Sequence, residues 1–172
     1  MKYLKGLVAA ITLLLFLFLG AGALISGEWS SERSIRIEAE AEAVWPWIAD
    51  LRQWDAWAPL GEVEGIFPAE TRGVGATREW DDAAWGEGVV TVRDVEEGRR
   101  LVYDVAVDGG LSTTGTLTVE AGPEGSTVTW LEEGDFGWNP LLTWFASGMD
   151  VRQGAQLEQG LEKLRNLIES GD

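Results

Sequence analysis

The last helix that the sequence predicts carries polar side chains on a face that is otherwise apolar. Asp150, Gln153 and Gly154 fall beside Leu157 and other apolar residues of that stripe. A carboxylate buried there needs a partner or has a raised pKa, and Gly154 would leave room for a ligand. We therefore predict that these four residues lie at a ligand-binding cavity. The alternative is that Asp150 pairs with an arginine of a strand, or that the helix leaves the sheet there.

Three predicted strands also combine aromatic and polar residues on one face. Glu132 shares a face with Trp130, Arg78 shares one with Trp80, and Tyr103 lies on an apolar face. If these faces point inward, Trp80, Tyr103, Trp130 and Glu132 line the same cavity, and Arg78 lies there or at its mouth. The alternative is that the charged residues are solvated at strand ends. Paired carboxylates could perform acid–base chemistry, but spacing places no two of them together, so we predict no catalytic residue.

The composition excludes several classes of function. The 172 residues include no histidine and no cysteine, which rules out Ser-His-Asp and Cys-His catalysis and the usual zinc sites. A metal could be held only by oxygen ligands, and we expect no metal and no other cofactor. A formal net charge of -16 disfavours binding to nucleic acid, because phosphate contacts need clustered basic side chains.

An apolar N-terminal segment predicts a membrane address. Two lysines, Lys2 and Lys5, precede an apolar run over residues 7–25, which is about long enough to cross a bilayer, and the first acid is Glu28. This charge distribution favours an N-terminus inside the cell and a domain outside, on the periplasmic or extracytoplasmic side of an inner membrane. The small residues at 21–23 also fit a signal-peptide cleavage site, so residues 1–27 are interpreted as an anchor or a signal sequence.

Hydrophobic periodicity predicts an antiparallel sheet followed by one long helix. A first strand over 34–38 precedes a helix that begins near Val44, which would keep Pro46 in the first turn, and a short helix over 54–57. Turn residues then separate five predicted strands, at 76–80, 88–95, 101–107, 112–120 and 127–133. Asn139 and Pro140 predict the start of a helix that continues to about residue 169.

An ordered set of short motifs carries a family resemblance. The set comprises Ile35-Arg36-Ile37, Ala41-Glu42-Ala43-Val44-Trp45, Ile48-Ala49-Asp50-Leu51, Trp54-Asp55-Ala56-Trp57-Ala58-Pro59, Gly73-Val74-Gly75, Trp80, Gly86-Glu87-Gly88, Val128-Thr129-Trp130, Gly134-Asp135, Asn139-Pro140, Met149-Asp150, Gly154 and 158–164. It resembles the START-like or SRPBCC superfamily, in its polyketide cyclase/dehydrase branch, over residues 33–169. The resemblance implies an α+β helix-grip fold, in which a curved antiparallel sheet wraps around a long C-terminal helix.

The resemblance and the N-terminal segment together lead to a functional expectation. We predict a START-like domain over residues 33–170 that binds a hydrophobic small molecule or lipid between sheet and helix, tethered by the N-terminal helix. The alternatives are an enzyme similar to polyketide cyclases and dehydrases, and a partner-binding domain without a ligand. The oligomeric state and the ligand do not follow from the sequence.

Overall fold

The computed structural model describes residues 2–108 and 110–171, in which one curved antiparallel sheet packs against a long helix. The strands are β1 Glu28–Ile37, β2 Thr77–Asp82, β3 Gly86–Glu96, β4 Arg100–Val107, β5 Leu111–Gly122 and β6 Gly125–Asp135. The helices are α1 Lys2–Gly22, α2 Ala41–Ala49, α3 Trp54–Trp57, α4 Thr143–Ala146 and α5 Met149–Ser170. A 3₁₀ turn at Pro59–Glu62 follows α3. The order in the sheet is β1-β6-β5-β4-β3-β2.

The predicted α+β helix-grip fold is confirmed. Alternating residues of each strand face α5 and form the core, as the period-2 pattern of the sequence indicates. The first strand is longer than predicted, because β1 already begins at Glu28 and pairs with β6 from Ser126 to Asp135. Trp29 is the one apolar residue between positions 28 and 33, so this part of the strand shows no hydrophobic alternation.

Helix α2 corrects the predicted helix start near Val44. It begins at Ala41, so Pro46 lies in the middle of the helix instead of its first turn. Backbone N–H groups of Ala43 and Val44 already bond to the carbonyl of Glu40. Pro46 is exposed while Val44, Trp45 and Ile48 are buried, and this apolar packing holds the helix despite one missing N–H donor.

The predicted single helix over 139–169 is wrong, because the chain forms two helices there. Helix α4 ends at Ala146, and α5 begins at Met149 after a turn at Ser147 and Gly148. The hydroxyl of Ser147 donates to the carbonyl of Trp144, and glycine follows it, so both residues weaken helix continuation. The predicted cap at Asn139 is also wrong, because α4 begins at Thr143, with Leu142 as its N-cap. The Asn139 side-chain oxygen instead accepts from the N–H of Leu141 at 3.0 Å, in the turn that precedes α4.

Aromatic side chains on the concave face lie across glycines of neighbouring strands. Trp80 is paired in register with Gly88, and a Cβ on Gly88 would lie 2.1 Å from the Trp80 ring. Tyr103 has the same relation to Gly115, where a Cβ would lie 2.0 Å from the tyrosine ring. Trp29 covers Gly134 in the same way. Each glycine therefore makes room for an aromatic ring to lie flat over the next strand.

The Gly115 gap also places two polar residues in contact. Gly115 is paired in register with Tyr103 on one side and with Glu132 on the other. Since no side chain stands between them, the Tyr103 hydroxyl reaches over β5 and donates to Glu132 Oε1 at 2.5 Å. The row across the sheet ends at Ser31, which faces Glu132 from β1. Strand register therefore builds the polar centre of the concave face.

Helix α1 is long and apolar enough to span a membrane. Residues Tyr3–Gly22 have a mean hydropathy of 2.3, and the domain buries none of the most apolar part of this segment. A signal sequence near an N-terminus has the same properties. The C-terminal end of α1 touches the domain at α4, where Phe18 stacks on Trp144 at 5.1 Å and Thr143 donates to the carbonyl of Gly22 at 2.8 Å.

We predict that Gly115→Ala destabilises the domain by about 1–3 kcal/mol, because the new methyl group would displace the Tyr103 ring. Gly148→Ala is the matched control. A Cβ there meets its nearest heavy atom at 3.7 Å, and the backbone φ of -106° suits any residue. Urea unfolding of the full chain in detergent micelles measures both effects. Equal stability of the Gly115→Ala variant and the parent would contradict the packing described for Tyr103.

Candidate ligand-binding cavity

A cavity of ≈ 180 Å³ lies between the concave face of the sheet, α3, the 3₁₀ turn and α5. Its aromatic lining residues are Trp54, Trp80, Trp85, Tyr103 and Trp130. Its other apolar lining residues are Ala58, Pro59, Leu60, Val105, Val107 and Leu157, and its polar ones are Thr113, Glu132, Gln153 and Gln156. Trp85 and Gln156 are exposed, which places an opening between the β2–β3 turn and α5.

Glu132 is the polar centre of the cavity wall. It is 6% exposed and accepts hydrogen bonds from Tyr103 through Oε1 and from the Gln153 amide through Oε2. The Tyr103 hydroxyl in turn accepts from Trp130 Nε1 at 2.7 Å. Both hydrogen-bond partners of the carboxylate among the described residues are therefore donors, and none of the salt bridges there includes Glu132.

The surroundings of Glu132 shift its protonation. Burial raises the pKa of Glu132, and the hydrogen bonds from Tyr103 and Gln153 partly oppose this rise. Burial, together with the nearby Glu132 charge, raises the pKa of Tyr103 well above its usual range. Tyr103 therefore stays a neutral donor, while Glu132 keeps its proton to a higher pH than an exposed glutamate. A carboxyl of this kind can donate or accept a proton inside an apolar cavity.

Tryptophans of α3 hold the tyrosine in place. Trp54 meets the Tyr103 ring edge-on at 4.9 Å and donates through Nε1 to the carbonyl of Ile48 at 2.9 Å. Trp57 makes a similar edge contact with Trp130 at 5.3 Å and donates to the carbonyl of Trp47. The indole donors of both α3 tryptophans are thus bonded to α2, and their rings are free to pack against the two aromatic residues of the Glu132 network.

Trp80 differs from these tryptophans in its hydrogen bonding. Its side chain is 3% exposed, yet its Nε1 has no hydrogen-bond partner among the described residues. A buried indole N–H without an acceptor costs free energy. The residues that line the cavity therefore include Glu132, whose hydrogen-bond partners are both donors, and Trp80, whose indole N–H has no partner among the described residues.

The cavity brings together six of the eight predicted site residues. Trp80, Tyr103, Trp130, Glu132, Gln153 and Leu157 all line it. Asp150 and Gly154 do not. The Asp150 side chain is 62% exposed and forms a salt bridge with Arg33 at 3.0 Å, which corresponds to the alternative of pairing with a strand arginine.

Arg33 explains both corrections. Its side chain lies under Gly154, where a Cβ would come within 1.9 Å of the guanidinium. Gly154 therefore makes room for an arginine instead of a ligand. Hydrogen bonds from Arg33 and Ser31 lower the pKa of Asp150, so this carboxylate is an ionised partner of β1.

Arg78 also lies outside the cavity lining, although it is fully buried. It donates to Asp55 and to the carbonyls of Leu60 and Val63, each within 2.8 Å. These bonds fasten the 3₁₀ turn, which forms one wall of the cavity, to β2. The prediction that Arg78 lies at the cavity or its mouth is thus wrong, because Arg78 lies behind the 3₁₀ turn that forms the cavity wall.

Sequence patterns could have found some of the remaining lining residues. Val105 and Val107 follow Tyr103 at period 2 on the same strand face, so the alternation that indicates Tyr103 also indicates them. Trp85 and the 3₁₀ turn carry no such signal, because loops have no periodicity. Trp54 belongs to a short helix whose orientation depends on tertiary packing alone.

Comparison with known proteins identifies the family. A family model described as "Polyketide cyclase / dehydrase and lipid transport" matches residues 28–169. The chain therefore belongs to this family, in the polyketide cyclase/dehydrase branch of the SRPBCC superfamily. A search of curated proteins gives no match. The predicted division into residues 1–27 and 33–170 stays a prediction.

Solved structures share the fold. MLL2253 from Mesorhizobium loti is 17% identical, with a TM-score of 0.63 over 83% of this chain and 98% of that one. CalU16 from Micromonospora echinospora is 16% identical, with a TM-score of 0.58 over 82% and 84% of the two chains. DynU16, of the dynemicin biosynthetic locus, is 19% identical, with a TM-score of 0.62. The match covers 83% of the present chain but only 48% of the DynU16 chain. At these identities the likeness shows the fold alone.

The raised pKa of Glu132 predicts a pH-dependent stability difference. The folded domain holds this proton more tightly than the unfolded chain, so its stability falls as pH rises above 4.5 towards the folded pKa. Glu132→Gln removes this loss, and we expect the melting temperature of the variant to rise relative to the parent between pH 5 and pH 8. Glu133→Gln, next in the strand and exposed, is the control. Parallel melting profiles for Glu132→Gln and the parent would contradict the assignment.

Proposed function

We propose that this protein binds an apolar small molecule in the cavity beside Glu132. The observation that carries the proposal is the cavity itself, a largely apolar space under α5 that the side chains of a well-packed core would normally fill. Family membership, which covers cyclases, dehydrases and lipid transport, supports the same kind of ligand. An interior of this kind counts against the alternative of a ligand-free partner-binding domain.

The size of the cavity limits the ligand. An engineered cavity of about 150 Å³ in another protein holds one benzene molecule, so a space of ≈ 180 Å³ suits one or two fused rings or a short acyl chain. A larger molecule would extend through the opening near Trp85. A second pocket of ≈ 260 Å³ shares Val107, Thr113 and Gln153 with the first and continues towards Phe136 and Met149. We propose that longer ligands use this second space.

A chemical role for Glu132 is the second candidate function. An acid that keeps its proton in an apolar cavity, beside a neutral tyrosine, could protonate a bound hydroxyl, which leaves as water. The resulting Glu132 carboxylate could take the proton from the adjacent carbon, so that a carbon–carbon double bond forms and the acid is restored. The observation in its favour is the combination of burial and the lack of a cationic partner. Incubation with a β-hydroxy aryl ketone separates the two roles, since an enzyme would release the dehydrated product, whereas a binding protein returns the compound unchanged.

We further propose that α1 anchors the domain to the outer face of an inner membrane. At 1.5 Å per residue, its 21 residues extend over about 31 Å, close to the hydrocarbon thickness of a bilayer. Phe18 lies one turn before the end of α1 and stacks on Trp144, so an anchored α1 would bring α4 near the membrane surface. The lysines at the start of α1 and the acidic domain after it favour the outward orientation.

The surface around α4 supports this anchored arrangement. No charged residue occurs between 136 and 149, although 24% of the chain is charged. Trp138, Leu141, Trp144 and Phe145 are exposed there, while Thr143 and Ala146 face the domain. Exposed tryptophan and other apolar side chains are typical of the boundary between lipid headgroups and acyl chains. The apolar surface thus continues from α1 onto the domain.

Filling the cavity tests the ligand-binding proposal. Val105→Phe adds volume within the cavity, and we expect it to weaken binding of 2-naphthylmethanol at least about tenfold. Val102→Phe, on the opposite face of the same strand, is the matched control and retains binding. Titration calorimetry on the full chain in phosphatidylcholine nanodiscs, with empty nanodiscs subtracted, measures the affinity. Failure of the unaltered chain to bind would contradict the proposal, as would equal binding by Val105→Phe.

Cysteine labelling tests the anchor, because the chain contains no cysteine of its own. In intact bacterial spheroplasts, a membrane-impermeant maleimide is expected to label Ala121→Cys, which is exposed at the far end of β5. Phe145→Cys should react much more slowly because lipid covers it. The protein should remain in carbonate-washed membranes at its full mass. Labelling of Ala121→Cys only after lysis would contradict the orientation, and loss of the first residues would indicate a cleaved signal sequence.

A further inference from the structure

The charge balance of the cavity is one-sided. Glu132 and Tyr103 are the only titratable groups that line it among the described residues, and no lysine or arginine contributes to the wall. A buried carboxylate is usually paired with a cation, because removal of its charge from water is costly. Here the protein supplies only neutral donors, from Tyr103 and Gln153.

Arg33 and Arg78, whose side chains face inward from the sheet, are bound elsewhere. Arg33 faces inward from β1, on the element beside Glu132, but its guanidinium bonds to Asp150 and to the carbonyl of Glu32. Arg78 faces inward from β2 and bonds to Asp55 and to two backbone carbonyls. The pKa shift of Glu132 has no contribution from any basic residue.

The lone pairs of Glu132 leave room for another donor. A carboxylate can accept about four hydrogen bonds, and two of these positions are filled by the tyrosine and the glutamine. An ammonium group carries up to three N–H donors on one charged nitrogen. One ammonium group could therefore both donate hydrogen bonds to the carboxylate and neutralise its charge, whereas a hydroxyl would supply one donor and no charge.

The aromatic wall favours the same chemistry. Trp54, Trp80, Trp85 and Trp130 line the cavity together with Tyr103. The faces of such rings attract cations, and the attraction increases when water is excluded. An anionic ligand would instead meet the Glu132 charge with no cation to offset it. A phospholipid is also much larger than ≈ 180 Å³.

We infer that the ligand of this cavity is an apolar amine that binds as a cation, with its ammonium group on Glu132 and its hydrocarbon part among the tryptophans. This inference rests on the proposed ligand-binding function and specifies its ligand class. The amine nitrogen supplies the positive charge that Glu132 lacks, and the rings supply the apolar contact area. Binding thereby converts a destabilising buried charge into a hydrogen-bonded ion pair.

A matched ligand series tests the inference. The three ligands are 2-naphthylmethylamine, 2-naphthylmethanol and 2-naphthoate, which share one ring system and differ in charge. For the full chain in phosphatidylcholine nanodiscs at pH 7.5, we expect the amine to bind at least about tenfold more tightly than the alcohol. The naphthoate should bind most weakly. Empty nanodiscs correct for partition of each compound into lipid.

Glu132→Gln tests the assigned contact. It retains the shape of the side chain but not the charge, so the amine should lose at least about tenfold in affinity while the alcohol changes little. Glu133→Gln should leave both affinities unchanged. Calorimetry of the unaltered chain in buffers of different ionisation enthalpy gives a measurement that needs no variant. The amine should displace a proton from Glu132 at low pH, and the alcohol should displace none.

The outcomes separate this inference from the proposed function. If the alcohol binds as tightly as the amine, or if Glu132→Gln keeps the preference for the amine, the cationic ligand class is wrong and the apolar cavity stands. Tightest binding by the naphthoate would also overturn the inference. If none of the three compounds binds, both the ligand class and the ligand-binding function are wrong.

Discussion

The burial of Glu132 without a cation is the constraint around which the cavity is organised. Desolvation of a carboxylate disfavours its charged form, and hydrogen bonds from neutral donors recover only part of that cost. The structure supplies those donors through a chain that runs from Trp130 to Tyr103 to Glu132, with Gln153 on the second oxygen. All four side chains occur on the concave face or on the helix above it, so the acid cannot move without disturbing the core. A position this costly is easier to understand as a ligand contact than as a structural element, because an apolar residue would pack there at no electrostatic cost.

Backbone pairing produces this arrangement with few long-range requirements. Tyr103, Gly115 and Glu132 occupy one row across three adjacent strands, so the turns of the meander set their relative positions. Gly115 is the decisive member of the row, because any side chain there would separate the hydroxyl from the carboxylate. The same device at Gly88 holds Trp80 flat against the sheet. Glycines that weaken a strand by themselves therefore become useful where an aromatic ring takes the vacant space.

The contrast between strands and the last helix shows what a single sequence can predict. Strand faces follow from a period of two, so Trp80, Tyr103, Trp130 and Glu132 were placed together by alternation. The predicted apolar stripe assumes one unbroken helix. The turn at Ser147 and Gly148 separates α4 from α5, so residues after the turn no longer continue the face that α4 presents. Leu157 and Gln153 remain on the inner side, whereas Asp150 lies in the exposed first turn of α5. The contact between Arg33 and Gly154 could not be predicted from the sequence. The two residues are far apart in the chain, and the long, flexible arginine side chain makes the contact.

Helix α1 and the cavity are connected through one segment of the chain. Residues 136–149 join β6, which carries Glu132, to α5, which carries Gln153, and the same residues contact the end of α1. Phe136 and Met149 also line the pocket that adjoins the Glu132 cavity. An apolar amine partitions into a bilayer with its charge at the headgroups and its hydrocarbon part below, which is the depth at which α4 would lie. A ligand that left the lipid beside α4 would therefore meet an apolar route first and the carboxylate last, and its charge would become unsolvated only where Glu132 can neutralise it.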